Sequence, residues 1–215
     1  MQKYIHVFTL LLIAQYSICQ QDPEARKILD RVAEKSKSYK SIRTDYELLI
    51  EDRKEDMQTE SKGRIIIKKN KYKLESDEST VYYDGKTMWT YTPDNNEVVI
   101  SEPDTLDDNF LVNPASIFDI YNRDFKYRYD GEIDGNNIKM HEIHMFPKNL
   151  EQPYSRIILH IDAGRDLLSG IKIVGKDGVD YTISLDNYIT NEDIDDSVFT
   201  FSSSKHKKAE IIDLR

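Results

Sequence analysis

The residues best equipped for chemistry are His141 and His144 of "HEIH", the carboxylates of "NEDIDD" (191–196), the basic run "KHKK" (205–208) and a lone cysteine, Cys19. "HEIH" invites a metal reading. On a strand, however, residues three apart point to opposite faces, so His141 and His144 cannot share one ion. Acids clustered in a polar loop read as solvated surface or as the start of a helix, and the four-residue basic run reads as a solvated turn. The sequence holds no "GxSxG", no glycine loop that could cradle a phosphate, and no spaced His/Asp/Glu set of a hydrolase. The expectation is a protein that is not an enzyme, with no metal and no cofactor. Two titratable residues converging in a binding cavity would be needed to reverse it.

The 215 residues suffice for a sizeable core. Lys3 is followed by "YIHVFTLLLIAQYSI", an apolar run too short to span a bilayer, and small residues stand at Ser17 and Cys19. Residues 1–19 are therefore expected to be a cleaved signal peptide. The rival is a lipoprotein signal with Cys19 lipidated, but such sites want a small residue where Ile18 stands. Cleavage after Cys19 would leave a chain without cysteine, and so without disulfides. Loss of Lys3 would change 30 basic and 39 acidic residues into 29 and 39, a net charge of −10 in place of −9. That balance disfavours nucleic acid and anionic membrane surfaces, whose phosphates repel it.

The elements that must position any site follow from periodicity. Ile28, Leu29 and Val32 fall at helical spacing between Asp22-Pro23, suited to a helix start, and lysines near Lys37. From Ile42 the period becomes two: Ile42, Thr44, Tyr46, Leu48 and Ile50 alternate with mostly polar partners. Short strands follow at 58–69, 71–75, 80–84, 87–91 and 97–101, then at 125–133, 138–146, 155–161, 167–174 and 180–190, separated by Gly, Asn and Asp turns. Tyr181, Ile183, Leu185 and Ile189 are expected to face one way. About eleven strands are too many for one flat sheet.

Three details bear on function. In "YYDGKTMWTYTP" (82–93), Asp84-Gly85 predicts a type I′ hairpin turn, which needs positive φ at both residues. Ile65–Ile67, Val98–Ile100 and Ile157–Leu159 are apolar on both faces, so their second side needs a cover. The N-terminal helix and the segment 105–125 are the expected covers. In that segment Asn113 and Pro114 can start a short helix whose Ile117, Phe118 and Tyr121 share a face. "AEIIDLR" near the end reads as one more short edge strand.

Taken together, the export signal, the amphipathic helix, "GRIIIKKNKY", "YDGKTMWTYTP", "NPASIF" and "DDSVFTF" resemble the periplasmic outer-membrane lipoprotein carrier family, LolA. The resemblance runs in order along nearly the whole mature chain, and its sharpest piece is "DGKTxWxYxP". It implies a mainly β fold with α: a strongly curved, incomplete antiparallel β-barrel covered by the N-terminal helix and a central lid helix, as one domain over residues 20–215. It also implies a hydrophobic cavity for acyl chains, for which the candidate residues are Tyr46, Leu48, Leu74, Met88 and Trp89 on strands and Ile117, Phe118 and Tyr121 on the lid. Met88 and Trp89 are neighbours, and the sequence leaves open which of them faces inward.

The implied partners are acylated lipoproteins, an inner-membrane lipoprotein-releasing transporter and an outer-membrane acceptor, for a periplasmic monomer that needs no cofactor. Family members carry an Arg that bonds to the lid. Here a lysine takes its place, Lys69 counting from Gly63 or Lys68 counting back from Tyr72, and lysine lacks the planar fork of donors. An alternative within the same half-barrel is a periplasmic domain that senses lipids or lipoproteins. A hydrolase of lipids or glycans is a third reading.

Overall fold

The computed structural model describes residues 22–102, 125–135 and 138–215. The expected signal peptide and the expected helix with Ile117, Phe118 and Tyr121 lie outside them.

Helix α1 (Pro23–Ser38) begins where the sequence places it: Asp22 caps it through its carboxylate, Pro23 opens it, and Lys35 and Lys37 sit in its last turn. One stripe, formed by Ala25, Ile28, Leu29, Val32 and Ala33, is buried. The strands are β1 (Ile42–Asp52), β2 (Met57–Lys68), β3 (Lys71–Ser76), β4 (Thr80–Tyr83), β5 (Met88–Thr92), β6 (Glu97–Ser101), β7 (Phe125–Asp134), β8 (Lys139–Pro147), β9 (Tyr154–Asp162), β10 (Leu167–Gly175), β11 (Val179–Thr190) and β12 (Glu210–Asp213).

All twelve form one sheet, ordered β12-β6-β5-β4-β3-β2-β1-β11-β10-β9-β8-β7. Two meanders, β1 to β6 and β7 to β11, are joined where β1 pairs with β11. Among the described residues their outer edges do not pair with each other, so the barrel is incomplete. The edge strand expected in "AEIIDLR" is β12, but in a sheet expected to be antiparallel it runs parallel to β6, because the chain returns from β11 across the sheet and reaches that edge in the same direction.

Three local expectations are corrected. Only Gly85 has positive φ in the 84–87 turn, and the Asp84 carboxylate accepts from the backbone N–H of Lys86 and Thr87 at 2.9 and 2.8 Å. An Asx turn thus replaces the type I′ turn, since the aspartate can supply the hydrogen bonds itself. Ile189 does not share a face with Leu185: the pairing with β1 slips between Arg43 and Asp45, opposite Asn187 with its φ of 54°. An extra residue there inverts the alternation beyond it. Finally, part of the second face is covered by the chain's own C-terminal segment. Phe201 packs on Tyr82 and Tyr91 at 6.1 and 5.8 Å, and His206 on Tyr91 at 4.3 Å.

Candidate functional site

Direct strand partners share a face of a sheet. Tyr129, Ile143, Leu159, Ile171, Ile183 and Leu48 are such partners across β7, β8, β9, β10, β11 and β1. They form an apolar row over half the sheet, and its β7–β10 part packs against the buried stripe of α1. Beyond β1 the same face carries Tyr46 opposite Gly63, then Ile65, Leu74 and Val81 in one row and Ile67, Tyr72, Tyr83 and Met88 in the next. Apolar side chains therefore run along one face from β7 to β5.

Burial varies along that face in a way that bears on binding. Ile143, Met145, Ile157 and Ile161 beneath α1 are wholly buried. Ile183, Leu185, Leu48, Tyr46, Leu74, Val81 and Met88 are only partly so. The phenols of Tyr46, Tyr72 and Tyr83 are each pushed above the ordinary tyrosine range by burial, which marks a surface poor in water. Such a surface gains free energy by removing apolar groups from water.

The structure thus brings together four of the candidate cavity residues, Tyr46, Leu48, Leu74 and Met88. Trp89 does not join them. It pairs with Tyr82 and Ile100 on the opposite face, because successive strand residues alternate. Ile117, Phe118 and Tyr121 lie outside the described residues. Lys69 sits exposed in the β2–β3 turn with φ of 58°. Lys68 donates to the Ile194 carbonyl at 2.6 Å and to Asp196 Oδ1 at 2.8 Å, and Lys71 donates to Asp196 Oδ2 at 2.7 Å. Those two hydrogen bonds hold the Asp196 carboxyl down at about 2.

The histidines of "HEIH" separate as strand geometry requires. His141 bonds to Tyr129 Oη at 3.0 Å on the α1 side. His144 turns to the other side, where its Nε2 lies 2.9 Å from Glu142 Oε1, while His160 Nε2 lies 3.0 Å from Glu142 Oε2. Burial works against ionisation of Glu142, but the bonds from both imidazoles outweigh it and lower its pKa. Sequence reasoning missed this convergence. The β8–β9 register, which pairs Glu142 with His160, would have revealed it.

An open, curved sheet with one long apolar face and an amphipathic helix across part of it defines the fold class. Residues 37–202 match the family described as outer membrane lipoprotein carrier protein LolA, and the chain belongs to that family. No curated protein sequence gives a significant match. Among solved structures, an uncharacterized conserved protein from Thermus thermophilus has 16% identity and a TM-score of 0.56, over 88% of this chain and 99% of that one. A DUF1329 family protein from Desulfovibrio piger has 14% identity and a TM-score of 0.50, over 85% and 99%. A LolA superfamily protein from Nitrosomonas europaea has 11% identity and a TM-score of 0.45, over 82% and 97%. At these identities the first two likenesses speak for the fold alone.

Proposed function

We propose that the protein is a periplasmic carrier that shields the acyl chains of lipoproteins and ferries them from an inner-membrane releasing transporter to an outer-membrane acceptor. In this reading residues 1–19 are removed on export and residues 20–215 act as one carrier domain. The observation that supports it is the apolar face running from β7 to β5, on which Ile183, Leu48, Tyr46, Leu74, Val81 and Met88 stay partly exposed beside the buried Ile65, Ile67, Tyr72 and Tyr83. Ile117, Phe118 and Tyr121 would supply a lid over that exposed part.

Energetics constrain how such a carrier works. One acyl chain of about sixteen carbons, at ~0.8 kcal/mol per methylene, is worth on the order of 12 kcal/mol when buried, so three chains nominally exceed the ~18 to 21 kcal/mol ceiling of noncovalent affinity. A carrier realising all of that could not release its cargo. Contacts limited to partly exposed residues such as Leu48, Leu74 and Met88 lower the gain, and an acceptor offering fuller burial then draws the chains onward without an energy source.

The test is to purify the mature protein from its native periplasm, identify co-purifying molecules by mass spectrometry, and add membranes bearing an acceptor. Bound lipoproteins that leave for those membranes are expected. A chain beginning with diacylated Cys19, or a lasting complex with one protein partner, would refute the carrier and favour an anchored acceptor or a sensor respectively.

A further inference from the structure

The side of β7–β9 turned away from α1 holds a group of side chains for which acyl-chain binding has no use. Asp130, Glu142 and His144 each place one ligand-type atom within 4.8 Å of the others. His144 Nε2 lies 2.9 Å from Glu142 Oε1 and 3.6 Å from Asp130 Oδ2. Around a tetrahedral ion with bonds of about 2.0 Å the donor atoms stand about 3.3 Å apart, between those two values. The 3.6 Å separation is also too long for a hydrogen bond.

The remaining oxygens are occupied in a way that aims these donors. His160 Nε2 holds Glu142 Oε2 at 3.0 Å, and Arg128 Nη2 holds Asp130 Oδ1 at 2.9 Å. Each carboxylate therefore has one oxygen tied to a basic group and the other turned toward His144. Support of that kind orients ligands at metal sites. Asp130 reaches the group because β7 bulges there: Tyr129 pairs with Ile143 and Gly131, with φ of 112°, pairs with Glu142, leaving Asp130 as the extra residue. His144 itself is buried, 7% exposed, and its Nδ1 has no hydrogen-bond partner among the described residues.

The geometry points to a divalent transition-metal site formed by Asp130, Glu142 and His144, with His160 and Arg128 as positioning residues. One imidazole and two carboxylates suit Zn²⁺ or Mn²⁺ better than a thiol-loving ion, and the imidazole favours either over Ca²⁺ or Mg²⁺. Coordination through Nε2 leaves the imidazole proton on the unpartnered Nδ1, which keeps the affinity moderate. The site lies outside the proposed cargo face and does not depend on it.

The test uses the mature chain, untagged, titrated calorimetrically with ZnCl₂, MnCl₂ and CaCl₂ near pH 7.5, with imidazole ¹⁵N shifts recorded in parallel. One equivalent of Zn²⁺ or Mn²⁺ is expected, bound at least about tenfold more tightly than Ca²⁺, with the His144 Nε2 resonance moving on binding. Asp130→Asn and Glu142→Gln should each weaken binding more than about tenfold, and His160→Gln by about tenfold through loss of aim. Asp130 is exposed, so Asp130→Asn keeps the test valid if a variant at a more buried position fails to fold. No binding, or binding that Asp130→Asn leaves unchanged, would overturn the site and leave a hydrogen-bonded acid–histidine array.

Discussion

Tyr46 lies across Gly63, its direct partner on β2, and occupies the space a side chain there would need. A Cβ at position 63 would stand 2.6 Å from the Tyr46 hydroxyl and would overlap the backbone carbonyl of Glu75. The tyrosine could swing away, but the carbonyl belongs to the β2–β3 ladder and cannot. Gly63→Ala should therefore destabilise by about 1–3 kcal/mol, as overpacking does. Because the carbonyl clash remains, adding Tyr46→Ala should not restore the loss. Thermal melts of the single and double variants check this, and recovery in the double variant would place the conflict in the side chain.

A second expectation concerns Asp22, which joins α1 to the sheet. Its Oδ1 accepts from the N–H of Glu24 and Ala25 at 3.0 and 3.2 Å, and its Oδ2 from the N–H of Tyr129 at 2.9 Å. Burial opposes ionisation here, yet the bonds from Tyr129, Ala25 and Glu24 leave the pKa below 3.8. A depressed carboxyl stabilises fully above its unfolded pKa, and that contribution is lost as pH falls through the folded value. Asp22→Ala should cost about 1–2 kcal/mol at pH 7. The gap between variant and parent should narrow below about pH 4. A pH series of melting temperatures decides it; a gap that stays constant into acid would mean that the charge is irrelevant.

Lys68 and Asp196 tie the end of β2 to the 3-10 turn Asp196–Phe199. Asp196 is well exposed and Lys68 only half-buried, so Lys68→Leu should shift the melting temperature little. Its visible effect should be local, faster amide exchange at residues 194–198, with Lys69→Leu leaving those amides unchanged. If one of these lysines also holds the proposed lid, its Leu variant should in addition slow cargo release. Unchanged transfer in both variants would remove the latch.

Much of the architecture was legible because the alternation of Ile42 to Ile50 and the run of polar turns are local signals. Asp22, Pro23 and the terminal lysines likewise mark α1 without reference to the rest of the fold. Partnering is non-local, and there the sequence was weaker. A single extra residue at Asn187 turns Ile189 away from Leu185, and nothing in the local pattern marks it. Trp89 was ambiguous for a similar reason: alternation separates it from Met88, but only the pairing of Met88 with Tyr83 says which side is which. The acid–histidine group needed three strands in register, so scanning "HEIH" along one strand could exclude His141 with His144 but could not find His160. The cover supplied by Phe201 and His206 was hidden because "KHKK" reads locally as a solvated turn, and only the packing on Tyr82 and Tyr91 brings that segment back over the sheet.

The last prediction separates cargo face from core on one row of the sheet. Leu48 and Ile143 stand on the same face, four strands apart, but Leu48 is partly exposed and Ile143 wholly buried. A carboxylate at position 48 can keep water while placing charge where acyl chains are proposed to lie. At position 143, beneath α1, it would be buried without a partner at a cost of several kcal/mol, a large share of a typical ~5 to 15 kcal/mol stability. Leu48→Glu should therefore abolish binding of an apolar fluorescent dye and of lipoprotein while shifting the melting temperature little. Ile143→Glu should melt early or fail to fold. Equal destabilisation by the two variants would mean that the β1 region is ordinary core, and the proposed carrier would lose the surface on which its cargo rests.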